Sequence, residues 1–118
     1  MRATIYHNPN CSNSRGALKI LQDAGADLTI VEYLKTPPTR GELQSLAAQL
    51  RATAAASWPG IAGGMMRMKE AGAPAPDADD ATLLDAIAAH PILLNRPIVA
   101  TAKGTKLCRP PELVRELL

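Results

Sequence analysis

The sequence predicts an α/β fold with a mixed central sheet, and three observations lead there. Strand-like and helix-like segments alternate from residue 2 to residue 50. Two further strand-like runs bracket a glycine near the end of the chain. Between these two parts lies a stretch rich in Ala, Gly and Pro that has neither strand nor long-helix character. Alternating β and α elements require a parallel strand pair with a right-handed crossover. A hairpin adds antiparallel strands, so the sheet is expected to be mixed.

The elements follow in order. Residues 2–6 carry the β-type run Ala3-Thr4-Ile5-Tyr6. Residues 13–24 place Leu18, Ile20 and Leu21 at helical spacing, with Ser12 as a cap and Gly25 as a terminator. Residues 28–33, Leu-Thr-Ile-Val-Glu-Tyr, read as a second strand, halted by Thr36-Pro37-Pro38. Thr39 with Glu42 is a capping-box pattern that opens a helix through about Leu50. Residues 51–80 are expected to form short helices and loops, ending in the acidic Asp77-Ala78-Asp79-Asp80. A helix over 81–89 follows, with Leu83, Leu84 and Ile87 on its apolar side and Asp79 or Asp80 as cap. Together these make a helical insert of about 51–89. Ile98–Thr101 and Thr105–Cys108 read as a hairpin around Lys103-Gly104. Pro110-Pro111 opens a last short helix, Glu112 to Leu118. The order βαβα, insert, ββα is that of a thioredoxin-like domain.

Composition sets the outer limits. A chain of 118 residues is expected to form one domain, 1–118. Apolar residues make up 47% of it, enough for a core, and with no Phe the core must rest on Leu, Ile, Val and Ala. A net charge of +2 does not argue for nucleic acid. No apolar run reaches the ~18 residues of a membrane span. A charged residue and a strand at the start argue against a signal peptide, and with it against a stable disulfide between the two cysteines. A reducing cytoplasm and a monomer are the expectations.

The chemistry centres on Cys11 in Tyr6-His7-Asn8-Pro9-Asn10-Cys11-Ser12-Asn13-Ser14-Arg15. A thiol between the first strand and the first helix faces unpaired backbone N–H groups and the positive end of the helix dipole. That position favours the thiolate and cradles a small oxyanion. His7 either shares charge or a proton with the thiolate, or simply ends the strand. Cys11-Ser12-Asn13-Ser14 has the spacing of a redox Cys-x-x-Cys with Ser14 in place of the second thiol. A local disulfide is therefore impossible, and an adduct on Cys11 must be resolved by another molecule. Ser14 either donates to the thiolate or only caps the helix. Arg15 either extends the positive field or is a solvated helix residue.

Arg96 and Arg109 matter if the ligand is an anion. The residue before a proline is held extended, so Arg96-Pro97 presents its guanidinium from rigid backbone. In thioredoxin-like folds a proline at this place is typically cis and beside the thiol, which makes Pro97 a candidate cis-proline. Arg109 ends the following strand, and a guanidinium fork suits an oxyanion. Cys108 is read as a buried structural thiol, with a resolving role as the alternative. The two histidines and two cysteines have no metal-ligand spacing, so no metal is expected.

The phrases at 6–15, Glu32-Tyr33-Leu34-Lys35-Thr36-Pro37-Pro38-Thr39-Arg40, His90-Pro91-Ile92-Leu93-Leu94-Asn95-Arg96-Pro97-Ile98-Val99 and Gly104-Thr105-Lys106-Leu107-Cys108-Arg109-Pro110-Pro111-Glu112 resemble the glutaredoxin-coupled arsenate reductase family. The resemblance implies a thioredoxin-like fold with a helical insert. It implies one catalytic cysteine, matching Cys11, that attacks arsenate, with glutathione as co-substrate and no bound cofactor. Glutaredoxin then resolves the mixed disulfide and arsenite is released. The family's oxyanion-binding arginines match Arg96 and Arg109, and its thiolate-supporting histidine and serine match His7 and Ser14. A third family arginine lies in the insert, where Arg67 in Met65-Met66-Arg67-Met68 is the candidate, against the alternative of a surface charge on a helix. The insert departs from the family pattern: it is shorter, carries Gly63-Gly64 and lacks the usual aromatic residue and Gly-Leu pair. Two other readings stay open. One is a member with the same thiol scaffold and another substrate. The other is a non-enzymatic RNA-polymerase-binding regulator of the Spx type, although those usually carry Cys-x-x-Cys and lack the paired arginine motifs.

Overall fold

A computed structural model describes residues 1–118. Its sheet has the order β2-β1-β3-β4. Strand β1 (Arg2–His7) pairs parallel with β2 (Asp27–Glu32), from Arg2↔Asp27 to His7↔Glu32. On its other side β1 pairs antiparallel with β3 (Ile98–Thr101), and β3 pairs antiparallel with β4 (Gly104–Leu107). The mixed sheet is the one the element order requires.

Because successive strand residues face opposite sides, the sheet separates two cores. Ala3, Ile5 and Val99 face α1 (Ser12–Asp23) and the C-terminal segment, and are buried with Ala17, Leu21, Cys108, Val114 and Leu117. Ile98 turns to the other side, into a larger core with Tyr33, with Leu43, Leu46 and Leu50 of α2 (Arg40–Ala54), and with Leu83, Leu84 and Ile87 of α4 (Asp80–Ala89).

The caps show how local chemistry sets the ends. Thr39 Oγ1 accepts the Glu42 N–H at 3.1 Å and Glu42 Oε1 accepts the Thr39 N–H at 3.2 Å, closing the capping box. At α4 the cap is Asp79, whose Oδ1 accepts the Thr82 N–H at 2.8 Å. Helix α1 departs from expectation: Ser12 is its first helical residue, and the N-cap is Cys11, with no side-chain capping bond. The first amide groups of α1 are thereby left for the thiol.

Three boundaries differ from the sequence reading. Helix α2 runs one turn past Leu50, because Thr53 docks it on the sheet: Thr53 Oγ1 accepts the Thr105 N–H at 2.9 Å. The hairpin turn is Ala102-Lys103, since Thr101 pairs with Gly104. Gly104 opens β4 at φ +150°, and a Cβ there would stand 2.7 Å from Thr53 Oγ1. The last segment, Pro111–Leu117, is a 3₁₀ helix rather than an α-helix. Two prolines remove donors from its first turn, and its bonds close over three residues, as in Leu113 N–H to the Pro110 carbonyl at 3.1 Å.

Between α2 and β3 the chain forms a 3₁₀ turn (Ala55–Ser57), the short α3 (Gly60–Gly64), α4, and a 3₁₀ turn (Pro91–Leu93). Gly64 lies against the Trp58 ring, where a Cβ would come within 2.7 Å of it, so this departure from the family pattern has a packing reason. No helix is long and apolar enough to cross a membrane.

Candidate active site

The site forms where β1 ends and α1 begins. Its loop is held by buried polar groups. Ser14, fully buried, turns its hydroxyl away from the thiol: Oγ accepts the Asn8 N–H at 3.0 Å and is hydrogen-bonded to His7 Nδ1 at 2.6 Å. Asn8 is also buried, and its Oδ1 accepts the Asn10 N–H at 3.0 Å. The Cys11 N–H donates to the Asn8 carbonyl at 3.0 Å, completing the turn that lifts the thiol over the helix end.

Two expectations are corrected here. The Ser14 side chain neither donates to the thiolate nor caps the helix; the backbone N–H of Ser14 is what reaches the sulfur. Arg15 is not directed at the thiol either. It is exposed, and its Nη1 donates to the Pro9 carbonyl at 2.9 Å, stapling the outside of the loop. His7 sits behind the thiol, against Ser14. Burial lowers its pKa, with Glu32 opposing and Arg15 adding to the shift, so its ring is neutral at neutral pH.

Cys11 is partly buried and has no disulfide partner. Burial pushes its pKa up, but the backbone N–H groups of Ser14 and Asn13 and the guanidinium groups of Arg109 and Arg96 outweigh it, and the thiol sits below its ordinary value. Arg109 Nη1 lies 3.7 Å from Cys11 Sγ and also donates to the Arg96 carbonyl at 2.9 Å. One cation thus ties the thiol to the segment before β3. The Arg96–Pro97 and Arg109–Pro110 bonds are both cis.

Arg67 is not on a helix. It lies in an extended segment after α3, where Met66 bridges to Leu94 and the Arg67 N–H donates to the Leu93 carbonyl at 2.7 Å. The Asn95 N–H returns a bond to the Met65 carbonyl at 2.9 Å. This short antiparallel pairing sets Arg67 opposite Leu93 and Asn95 opposite Met65. Arg67, Lys69, Asn95 and Arg109 line one cleft of about 290 Å³. Arg67 Nε is 3.4 Å from Glu70 Oε2, an ion-pair distance, but it is not aligned as a hydrogen bond. Buried and without a hydrogen-bond acceptor are Arg67 Nε and both Nε and Nη1 of Arg96. Buried donors are rarely left unmatched, so the two Arg96 N–H groups are open to an anion, while at Arg67 Nε an anion would compete with Glu70.

The resolving alternative for Cys108 is not supported. It is fully buried, its thiol donates toward the Lys106 carbonyl at 3.6 Å, and burial pushes its pKa up to about 12.

The residue pattern of the ArsC family matches residues 6–117, nearly the whole chain. This chain belongs to the ArsC family. An arsenate reductase of Rhizobium meliloti (strain 1021) is 45% identical over 120 residues, covering 100% of this chain and 82% of that protein. An arsenate reductase of Escherichia coli (strain K12) is 44% identical over 115 residues, covering 98% and 79%. Among solved structures, an arsenate reductase from Vibrio cholerae superposes with a TM-score of 0.85 at 37% identity, covering 100% of this chain and 98% of that one.

Within this ArsC-family site, two residues escaped the sequence reading: Asn8 and Asn95. Asn8 had a signal, being an Asx residue two positions before a loop amide it can satisfy. Asn95 had none beyond lying in a quoted motif, because its bond to Met65 depends on a segment distant in sequence.

Proposed function

We propose that this chain reduces arsenate to arsenite by covalent catalysis on Cys11, with electrons from glutathione and glutaredoxin. The observation that carries the reading is the pair Arg96 and Arg109 at a thiol whose pKa is lowered, with unmatched N–H groups on Arg96 and with Arg67 lining a cleft beside Arg109. A thiolate and an arsenate repel one another, and bringing them to bonding distance costs several kcal/mol unless cations compensate. The arginines compensate on one side and the amide groups of Asn13 and Ser14 on the other.

Cys11 Sγ attacks arsenic, and an arsenic oxygen leaves as water after taking up a proton. The adduct is still As(V). A glutathione thiol then supplies the second sulfur, so that a Cys11–glutathione disulfide forms and arsenic departs as As(III) with two electrons. Glutaredoxin removes the glutathione from Cys11. Overall two thiols become one disulfide while arsenic gains two electrons. Ser14 in place of a second cysteine, and the inertness of Cys108, leave the reducing thiols to be supplied by other molecules. No bound cofactor takes part, and the reading suits a monomer in the reducing cytoplasm.

The test is NADPH oxidation in the presence of arsenate under two donor systems. Glutathione, glutaredoxin and glutathione reductase should sustain turnover, and thioredoxin with thioredoxin reductase should not. The reverse preference would overturn the donor assignment. Activity with neither would overturn the function.

A further inference from the structure

Tyr33 carries an unused functional group into this site. It follows β2 directly, one residue beyond the pairing His7↔Glu32. A parallel register continued by one step sets it beside Asn8, in the loop that carries the thiol. The ring is fully buried in the larger core, so its position is fixed by packing against α2, α4 and Ile98. Its hydroxyl is nevertheless buried with no hydrogen-bond partner.

The orphaned side-chain atoms of the whole chain are four: Tyr33 Oη, Arg67 Nε, Arg96 Nε and Arg96 Nη1. They belong to three residues that sense one another. The charges of Arg96, Arg67 and Cys11 all act on the phenol, and the Asn8 side chain lies beside it at the margin of hydrogen-bonding reach. Unmatched buried polar atoms on residues whose charges reach one another point to a polar ligand among them.

The kind of ligand follows from what surrounds the hydroxyl. Guanidinium groups have no acceptor to offer a phenol proton. The Asn8 amide oxygen already accepts the Asn10 N–H, and no protein acceptor lies within hydrogen-bond distance of Tyr33 Oη. A group that would satisfy it together with the unmatched Arg96 N–H groups is a small oxyanion with several acceptor oxygens.

We propose that Tyr33 is a further oxyanion-binding residue of this site, its hydroxyl donating a hydrogen bond to an oxygen of the tetrahedral substrate. The proposal rests on the arsenate-reductase reading and adds a neutral donor to its cations. A neutral donor holds an oxygen without the long-range pull of a charge, so it fixes orientation more than encounter. Burial raises the phenol's pKa, with the Arg96 charge and Asn8 opposing and the Cys11 charge assisting, so the proton stays in place across the working range.

The experiment measures arsenate binding by titration calorimetry in the unreactive Cys11→Ser background, with and without Tyr33→Phe. Phe keeps the ring and its packing. The expected result is about a tenfold rise in Kd, equal to about 1.4 kcal/mol, with a melting temperature in the absence of arsenate at or above that of the parent, since an unmatched buried hydroxyl has been removed. An unchanged Kd, with arsenate still bound by the parent, would overturn the role of Tyr33 and leave the function standing. A parent that binds no arsenate would overturn both. If Tyr33→Phe fails to fold, the tyrosine ultraviolet difference spectrum of the Tyr33-containing protein decides. A perturbation on adding arsenate supports the hydrogen bond, and a flat difference spectrum overturns it.

Discussion

Replacing Ser14 by alanine separates two jobs that sequence alone cannot distinguish. The hydroxyl accepts the Asn8 N–H at 3.0 Å and is bonded to His7 Nδ1 at 2.6 Å, with all three residues buried. Alanine leaves the Asn8 N–H with no acceptor, at a cost of about 1–3 kcal/mol, and removes a further bond worth about 1 kcal/mol. The expected loss is about 2–4 kcal/mol, since His7 keeps slight access to water and can recover part of its bond. In a domain of this size about 1 kcal/mol moves the midpoint by roughly 4 °C, so thermal unfolding should shift down by about 8–16 °C. Cys11 is held by the Ser14 backbone N–H, which alanine retains. The pH midpoint of iodoacetamide alkylation, read at a temperature where the variant is folded, should therefore move less than in Arg109→Ala. A melting point within about 2 °C of wild type, or an alkylation midpoint raised as far as in Arg109→Ala, would refute this division of roles.

Other expectations follow from the same geometry. Arg109→Ala should raise the alkylation midpoint and increase the KM for arsenate by about tenfold or more, because a charge-assisted contact worth about 1.5–3 kcal/mol is lost; an unchanged midpoint would contradict the contact at 3.7 Å. Cys108 keeps its proton in the folded state up to about pH 12, whereas an unfolded thiol ionises near 8.5. Stability is thus fully present below the unfolded value and falls as pH rises above it, by about 1.4 kcal/mol per pH unit. Tyr6 and Tyr33, both raised by burial, add a slope of the same sign above about pH 10. Cys108→Ser should remove the slope between about pH 8.5 and 10 in denaturant titrations while keeping most activity, and a slope that persists there would assign it elsewhere. Gly104→Ala places a Cβ 2.7 Å from Thr53 Oγ1 at a positive φ; it should cost about 1–3 kcal/mol, and a neutral result in urea unfolding would show that the turn relaxes freely.

Much of the fold was legible because its signals are local. Thr39 with Glu42, the proline stop before them, and the glycine after the first helix each act within a turn or two, and the structure places element ends within a few residues of them. The thiol at the strand-to-helix turn and the arginines beside prolines were legible for the same reason. What was not legible depends on contacts distant in sequence. The end of α2 is decided by Thr105 reaching Thr53, and the pose of Arg67 by its bond to Leu93. Tyr33 reads as one more apolar strand residue until the sheet register carries it alongside the Asn8 loop, with its hydroxyl buried and unmatched. Ser14 and Arg15 carry the right chemistry at the right spacing, yet the Asn8 amide and the His7 ring claim one side chain and a carbonyl the other.

The central claim is that Cys11, alone among the thiols, forms the bond to arsenic. It is tested most directly by measuring arsenite released from arsenate and excess glutathione with glutaredoxin, comparing wild type, Cys11→Ser and Cys108→Ser. The account predicts release by wild type and Cys108→Ser at similar rates and none by Cys11→Ser. Release by Cys11→Ser at the wild-type rate would contradict it.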